Sequence, residues 1–278
     1  MRHYLHSSML STSKPVNITL IGAGATGSQV LSGLARIDFS LKALGHAGLI
    51  VTVFDGDTVA QSNIGRQLYS PSDIGRNKAE VMVTRVNMFF GLQWRAMPWM
   101  FNLTTPFEHV PDMVYGSNLV ITAVDTVAAR LFASRKTRFY RYSCYYWMDL
   151  GNTKDTGQVI LGTRYKVNQY RKKDTVAELP TVLNLYPNMK QEEKKEYQGP
   201  SCSVAAALEK QDLFVNQWVA STGLQLLWKG IRQGFLEEHG AFINLRNMSL
   251  RPLPVDPVIW VRMMGTKPTS LLSLAKAA

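Results

Sequence analysis

A short apolar run, Val16-Asn17-Ile18-Thr19-Leu20-Ile21, opens directly into Gly22-Ala23-Gly24-Ala25-Thr26-Gly27. Bounded by glycine, such a run predicts a buried parallel strand. The GxGxxG spacing lets the backbone approach a phosphate and aims the next helix N-terminus at negative charge. A helical pattern continues through Leu34, and Leu49-Ile50-Val51-Thr52-Val53-Phe54 predicts a second strand that ends at Asp55. Strand, glycine turn, helix and strand open a doubly wound α/β fold. A tight turn with no ligand is the alternative at this point. Asp55 stands where an acid would bind ribose hydroxyls, although farther along than the usual ~20 residues. The extra length is assigned to an insertion around Asp38 to Gly48.

Pro71-Ser72-Asp73 predicts the cap of a helix from Ile74 to Phe89. Strands are predicted over Gln93 to Met97, Leu119 to Val124, Cys144 to Leu150 and Gln158 to Gly162, and a helix from Thr126 to Arg138. The stretch from Tyr165 to Gln198 is polar, dense in Lys and Glu, and broken by Pro180 and Pro187. It reads as an inserted, exposed loop. Helix resumes at Ser203, with a break, and runs to about Phe235. Two short strands, Ala241 to Leu245 and Val258 to Val261, close the chain. With no repeat or linker, residues 1–278 read as one α/β domain with a mostly parallel sheet and a C-terminal extension.

A chain of 278 residues, 46% of them hydrophobic, can bury a core without disulfides or metal. Cys144 and Cys202 are its only cysteines, which excludes a Cys-rich scaffold and a four-thiolate site. No structural zinc is expected, and a reducing, cytoplasmic setting is. No signal-peptide core and no bilayer-spanning run is evident, so no membrane partner is expected. The net charge of +11 favours phosphate, nucleic acid or an acidic protein.

The residues beyond Asp55 narrow the chemistry. Asp55-Gly56-Asp57-Thr58-Val59 leads to Ser62-Asn63-Ile64-Gly65-Arg66-Gln67 and then Asp73-Ile74-Gly75-Arg76-Asn77-Lys78-Ala79. Hydride transfer needs no arginine and lysine converging beside the nucleotide. Adenylation does: when a carboxylate attacks the α-phosphate of ATP, charge builds on phosphoryl oxygens and on departing pyrophosphate. Arg66 and Lys78 would neutralise it, Asn63 would orient an oxygen, and Asp125, at a strand end, would hold Mg2+. Asp57 reads equally as a ligand or as the cap of its own turn.

These motifs, in this order over residues 16 to 150, resemble the ThiF/MoeB/E1 superfamily of ubiquitin-like-protein activating enzymes. Gly199-Pro200-Ser201-Cys202-Ser203 and the Ala207 to Phe214 segment resemble more particularly the ThiF-family proteins of PRTRC systems. The resemblance implies a Rossmann-like adenylation fold that binds ATP with Mg2+ and adenylates the C-terminal glycine carboxylate of a small β-grasp protein. It implies that Gly22, Gly24, Gly27 and Asp55 cradle the nucleotide. Asn63, Arg66 and Lys78 would meet phosphates, Gln67 would lie beside them, and Asp125 would hold the metal. Many members transfer the acyl group onward to a thiol. The chain lacks the two CxxC pairs with which many relatives bind zinc. A homodimer is implied, although neither Arg2 nor Arg36 sits in the N-terminal arginine motif that some relatives reach into a partner's site.

Cys202 precedes a helical stretch, which suits either a thiolate nucleophile or a small buried residue; Cys144, between aromatics, reads as core. His3, His6, His46, His109 and His239 form no ligand spacing. Arg130, Arg135, Lys136, Arg138 and Arg141 interleave with aromatics, a pattern that nucleic acid can use, though a solvated helix end is preferred. Rival functions are adenylation of a tRNA-base carboxylate on the same fold, a non-catalytic E1-like subunit and an NAD-dependent oxidoreductase.

Overall fold

The apolar runs bounded by glycine become the middle of an eight-stranded sheet. A computed structural model describes residues 1–101, 116–136, 144–170, 173–189 and 209–265. In chain order its strands are β1 (His3–Tyr4), β2 (Val16–Ile21), β3 (Leu49–Phe54), β4 (Arg95–Met97), β5 (Leu119–Thr122), β6 (Tyr146–Asn152), β7 (Thr156–Thr163), β8 (Phe235–Leu236), β9 (Glu238–Asn244) and β10 (Ser249–Pro254). The helices are α1 (Ala25–Ala43), α2 (Lys78–Phe90), α3 (Val127–Lys136), α4 (Val182–Leu185), α5 (Val215–Gln233) and α6 (Pro257–Met264).

The sheet runs β10-β9-β7-β6-β5-β2-β3-β4, and β1 pairs separately with β8. From β6 to β4 all pairings are parallel; β7, β9 and β10 extend the sheet antiparallel. This is the α/β, mostly parallel architecture expected. The chain leaves β2 toward β3 on one side and later returns to β5 on the other. That reversal opens a crevice beyond the carboxyl ends of these strands.

Helix α1 lays Val30, Leu31, Leu34 and Leu41 into the core, each such side chain worth about 2 kcal/mol or more on burial. Its contact with α5 is close: a Cβ on Gly33 would meet Leu224 at 2.1 Å. The helix runs on to Ala43, so the extra length between the glycines and Asp55 is largely helix and not a loop insertion. Asp38 belongs to that helix. Its buried carboxylate accepts from the Leu49 amide at 2.6 Å and from Lys42 Nζ at 2.9 Å, which turns the chain back into β3.

Three other expectations are corrected. The helix expected from Ile74 begins at Lys78: Gly75 takes φ +84°, and Asn77, not Asp73, caps the first turn by accepting from the Glu80 amide. Val258 to Val261 is helical in α6, because Asp256 caps it and Pro257 supplies its first position. The last strand is instead β10, whose Pro252 and Pro254 are tolerated because it lies at the sheet edge. The polar stretch from residue 165 is not simply exposed where it is described: Val167, Leu179, Val182 and Leu185 are buried.

Candidate functional site

A cleft of about 970 Å3 opens at the carboxyl ends of β2, β3, β5 and β6. It is lined by the apolar Phe54, Met100, Phe101 and Phe132 and by the polar Asp55, Asp57, Arg66, Gln67, Lys78 and Asp125.

The glycine turn forms its floor. Gly22 takes φ +97°, and a Cβ there would lie 2.5 Å from the Ala123 carbonyl oxygen. Gly22 and Gly24 line the cleft; Gly27 does not. Gly27 lets the backbone cross itself, since its Cβ would fall 1.9 Å from the Gly22 carbonyl oxygen. Asp55 buttresses this floor: its Oδ2 accepts from the Ala23 amide at 2.6 Å and its Oδ1 from the Asp57 amide at 2.9 Å. Burial raises its pKa against the opposing pull of those two amides and Lys78.

Asn63 is turned inward. Its Oδ1 accepts from the Ala60 amide at 2.9 Å, and its carbonyl accepts from the Gln67 amide. Its side chain thus shapes the turn that delivers Arg66 and Gln67 and does not line the cleft. Arg66 Nη1 donates to Gln211 Oε1 at 2.7 Å. Among the described residues, Arg66 Nε and Gln67 Oε1 are buried without a hydrogen-bond partner. Burial also pulls the Arg66 pKa below its usual value, although a guanidinium remains charged. An unpaired buried donor is costly to maintain, and here it borders a cleft.

Lys78 is the first residue of α2 and is almost wholly buried; its Nζ donates to Asp57 Oδ2 at 2.9 Å. Asn77 Nδ2 reaches the carbonyls of Asp55 and Asp57, so β3 and the start of α2 are fixed together. Sequence reasoning missed Tyr69, whose hydroxyl reaches the backbone of Ala23 and Lys78; a lone tyrosine in a turn carries no sequence signal for this.

Asp125 is exposed at the rim, beyond β5. Arg130, weighed as a surface cation, is instead buried: its Nε donates to Asp149 Oδ1 at 3.0 Å and its Nη2 to the Val124 carbonyl at 2.6 Å. Asp149 Oδ1 also accepts from Thr122 Oγ1 at 2.7 Å. Cys144 is buried, and burial raises its thiol pKa. Cys202 lies outside the described residues. Among the described residues no group of three or more His, Cys, Asp and Glu could hold a metal, and no helix is long and apolar enough to cross a membrane.

The ThiF family pattern matches residues 7–231. The chain belongs to the ThiF family. Among curated proteins it is similar to ubiquitin-like modifier-activating enzyme 7 of Mus musculus, 33% identical over 124 residues that cover 44% of this chain and 12% of that one. It is also similar to ubiquitin-activating enzyme E1 1 of Candida albicans (strain WO-1), 28% identical over 150 residues, 52% of this chain and 14% of that one. The ThiF-family chain therefore spans only a small part of these relatives' length. Among solved structures, E. coli MccB superposes with a TM-score of 0.59 at 16% identity, covering 89% of this chain and 65% of MccB. PaaA superposes with a TM-score of 0.57 at 12% identity, covering 87% and 73%.

Proposed function

We propose that this ThiF-family chain uses ATP to adenylate the C-terminal glycine carboxylate of a small ubiquitin-like or sulfur-carrier protein. The observation that carries the proposal is the half-buried Arg66, its Nε buried without a partner among the described residues, on the same cleft as Lys78, Asp125 and the glycine turn. In the reaction a carboxylate oxygen bonds to the α-phosphorus, the bond to the β-phosphate oxygen breaks, and pyrophosphate leaves. Gly22 and Gly24 would let backbone approach phosphate, and Asp55 would bind ribose. Arg66 and Lys78 would stabilise charge on the phosphoryl oxygens and pyrophosphate. The exposed carboxylate of Asp125 fits Mg2+, which is often held by one or two carboxylates plus substrate phosphates. When bound there, Mg2+ supplies neutralisation of phosphate charge.

Support for a peptide-like acceptor comes from a second hollow of about 520 Å3 that shares Asn152 with the main cleft. E. coli MccB, a structural relative, is known with ATP and with MccA. A second, separable step is acyl transfer to Cys202, in which the thiolate attacks the acyl adenylate and AMP leaves. The proposal includes the PRTRC-system branch of the family, a cytoplasmic setting and a homodimer, for which exposed Phe39, Met88 and Phe89 offer apolar surface.

The test is calorimetric titration with Mg-ATP and, separately, NAD, beside the Asp125→Ala variant. Mg-ATP binding that weakens about tenfold or more in the variant is expected for a lost metal ligand. NAD binding with indifference to Mg-ATP would restore the dehydrogenase reading. Binding of neither would leave a non-catalytic subunit. If Mg-ATP binds, pyrophosphate exchange that needs RNA and falls steeply with salt would move the acceptor to tRNA.

A further inference from the structure

Arg66 reaches the cleft from an irregular segment, and a long cation on such a segment has many rotamers to lose before it can serve an anion. The structure removes that freedom from the far side of the cleft. Gln211 Oε1 accepts both from Arg66 Nη1 at 2.7 Å and from Asn216 Nδ2 at 2.8 Å. Buried Asn216, in the first turn of α5, accepts in turn from Thr26 Oγ1 at 2.9 Å through its Oδ1. Thr26 belongs to the glycine turn itself. A continuous relay therefore runs Arg66–Gln211–Asn216–Thr26, and all four residues line the cleft. Gln211 is braced from behind, because the amide of the next residue, Asp212, donates to the Lys154 carbonyl at 2.7 Å in the β6–β7 turn.

The chemistry of the acceptor matters as much as its place. A carboxylate at position 211 would hold Arg66 more strongly but would also neutralise it. A neutral amide oxygen fixes Nη1 and leaves the positive charge uncompensated, with Nε buried and unpaired. We infer that Gln211 is a positioning residue that holds the Arg66 guanidinium toward the phosphates of a nucleotide bound at the glycine turn without quenching its charge. The inference rests on the nucleotide reading proposed above.

The experiment measures binding of Mg-ATP and of adenosine to the full chain by calorimetry, with thermal unfolding of each unliganded variant. Gln211→Glu retains an acceptor and adds an ion pair, so it is expected to unfold no lower than the parent. It should nevertheless bind Mg-ATP about tenfold or more weakly, the equivalent of a lost charge-assisted contact, with adenosine unchanged. Gln211→Leu should show the same selective loss, and combined with Arg66→Ala it should add nothing to the loss from Arg66→Ala alone. Parental Mg-ATP affinity in both single variants, equal loss of Mg-ATP and adenosine, or full additivity with Arg66→Ala would each overturn the inference while leaving the nucleotide site standing. Failure of the unsubstituted chain to bind Mg-ATP would overturn the nucleotide reading itself, and this inference with it.

Discussion

The hydroxyl of Tyr69 donates to the Ala23 carbonyl oxygen at 2.6 Å and lies 3.3 Å from that of Lys78. One buried side chain thus spans the glycine turn and the first residue of α2. Burial and nearby Asp55 raise its pKa, which keeps the hydroxyl a donor throughout the working range. Tyr69→Phe keeps the ring and strands the Ala23 carbonyl, a loss of about 1–3 kcal/mol. Calorimetric unfolding should show it as a lower Tm and, if the proposed nucleotide binds there, weaker Mg-ATP binding, because the glycine turn and the start of α2 are no longer tied. A parental Tm would mean that water replaces the hydroxyl.

Two glycines of the turn should respond oppositely. A Cβ at Gly24 meets nothing within 4 Å, whereas one at Gly27 would fall 1.9 Å from a backbone oxygen. Gly27→Ala must push backbone apart and should cost more than about 3 kcal/mol, in the range of severe overpacking. Gly24→Ala should keep the parental Tm to within about 0.5–1 kcal/mol of stability, yet lose nucleotide affinity because the new methyl projects where phosphate would approach. Equal Tm losses in both would contradict this division between packing and ligand approach.

Much of this arrangement is legible in the sequence because the central strands are local apolar runs and the motifs that line the cleft are nearly contiguous. Asp55, Arg66, Lys78 and Asp125, expected from the motifs and their chemistry, and Gln67, expected from the family resemblance, all line one cleft. Spacing cannot give partners far apart in sequence. Gln211 meets Arg66 across 145 positions, and Arg130 turns inward because Asp149 waits for it on β6. A basic residue in a mixed helix reads as solvated unless the buried acid is known. Val258 to Val261 misleads for a local reason: a short run of β-type composition says little against an Asp-Pro start and a glycine stop.

Acid should unfold the chain before its carboxylates dominate. His3 and His239 are buried, and desolvation lowers both pKa values to about 4. His3 Nδ1 donates to the Val176 carbonyl, and its Nε2 accepts from Tyr146, whose hydroxyl also accepts from the His6 amide. The neutral ring is therefore the one that fits. Lowered folded-state values mean that this stability is complete above the unfolded pKa of ~6.5 and is lost as pH falls toward the folded values. Asp55, with its raised pKa, acts oppositely over the acidic end. Urea midpoints between pH 7.5 and 4.5 should fall with proton uptake on unfolding, and His239→Gln should reduce that uptake by about one proton. A flat profile would show that both rings are protonated in the fold.

The Arg130–Asp149 pair is the buried charge most exposed to single substitution. With side chains 11% and 1% exposed, neither ion can be re-solvated if the other is removed, which costs about 3–5 kcal/mol for such pairs. Asp149→Ala strands a guanidinium and frees Thr122, which also accepts from Trp147 Nε1 at 2.9 Å. Arg130→Met strands the acid and releases the Val124 carbonyl, next to Asp125. Both variants should lose several kcal/mol in urea unfolding, and the double variant Arg130→Met with Asp149→Leu should recover most of it, because well-packed apolar replacements escape the desolvation cost. The recovered double variant should still bind Mg-ATP more weakly than the parent if Arg130 sets the backbone that presents Asp125. Parental stability together with parental Mg-ATP affinity would show that the pair is dispensable for both fold and site, and undiminished Mg-ATP affinity alone would confine Arg130 to the core.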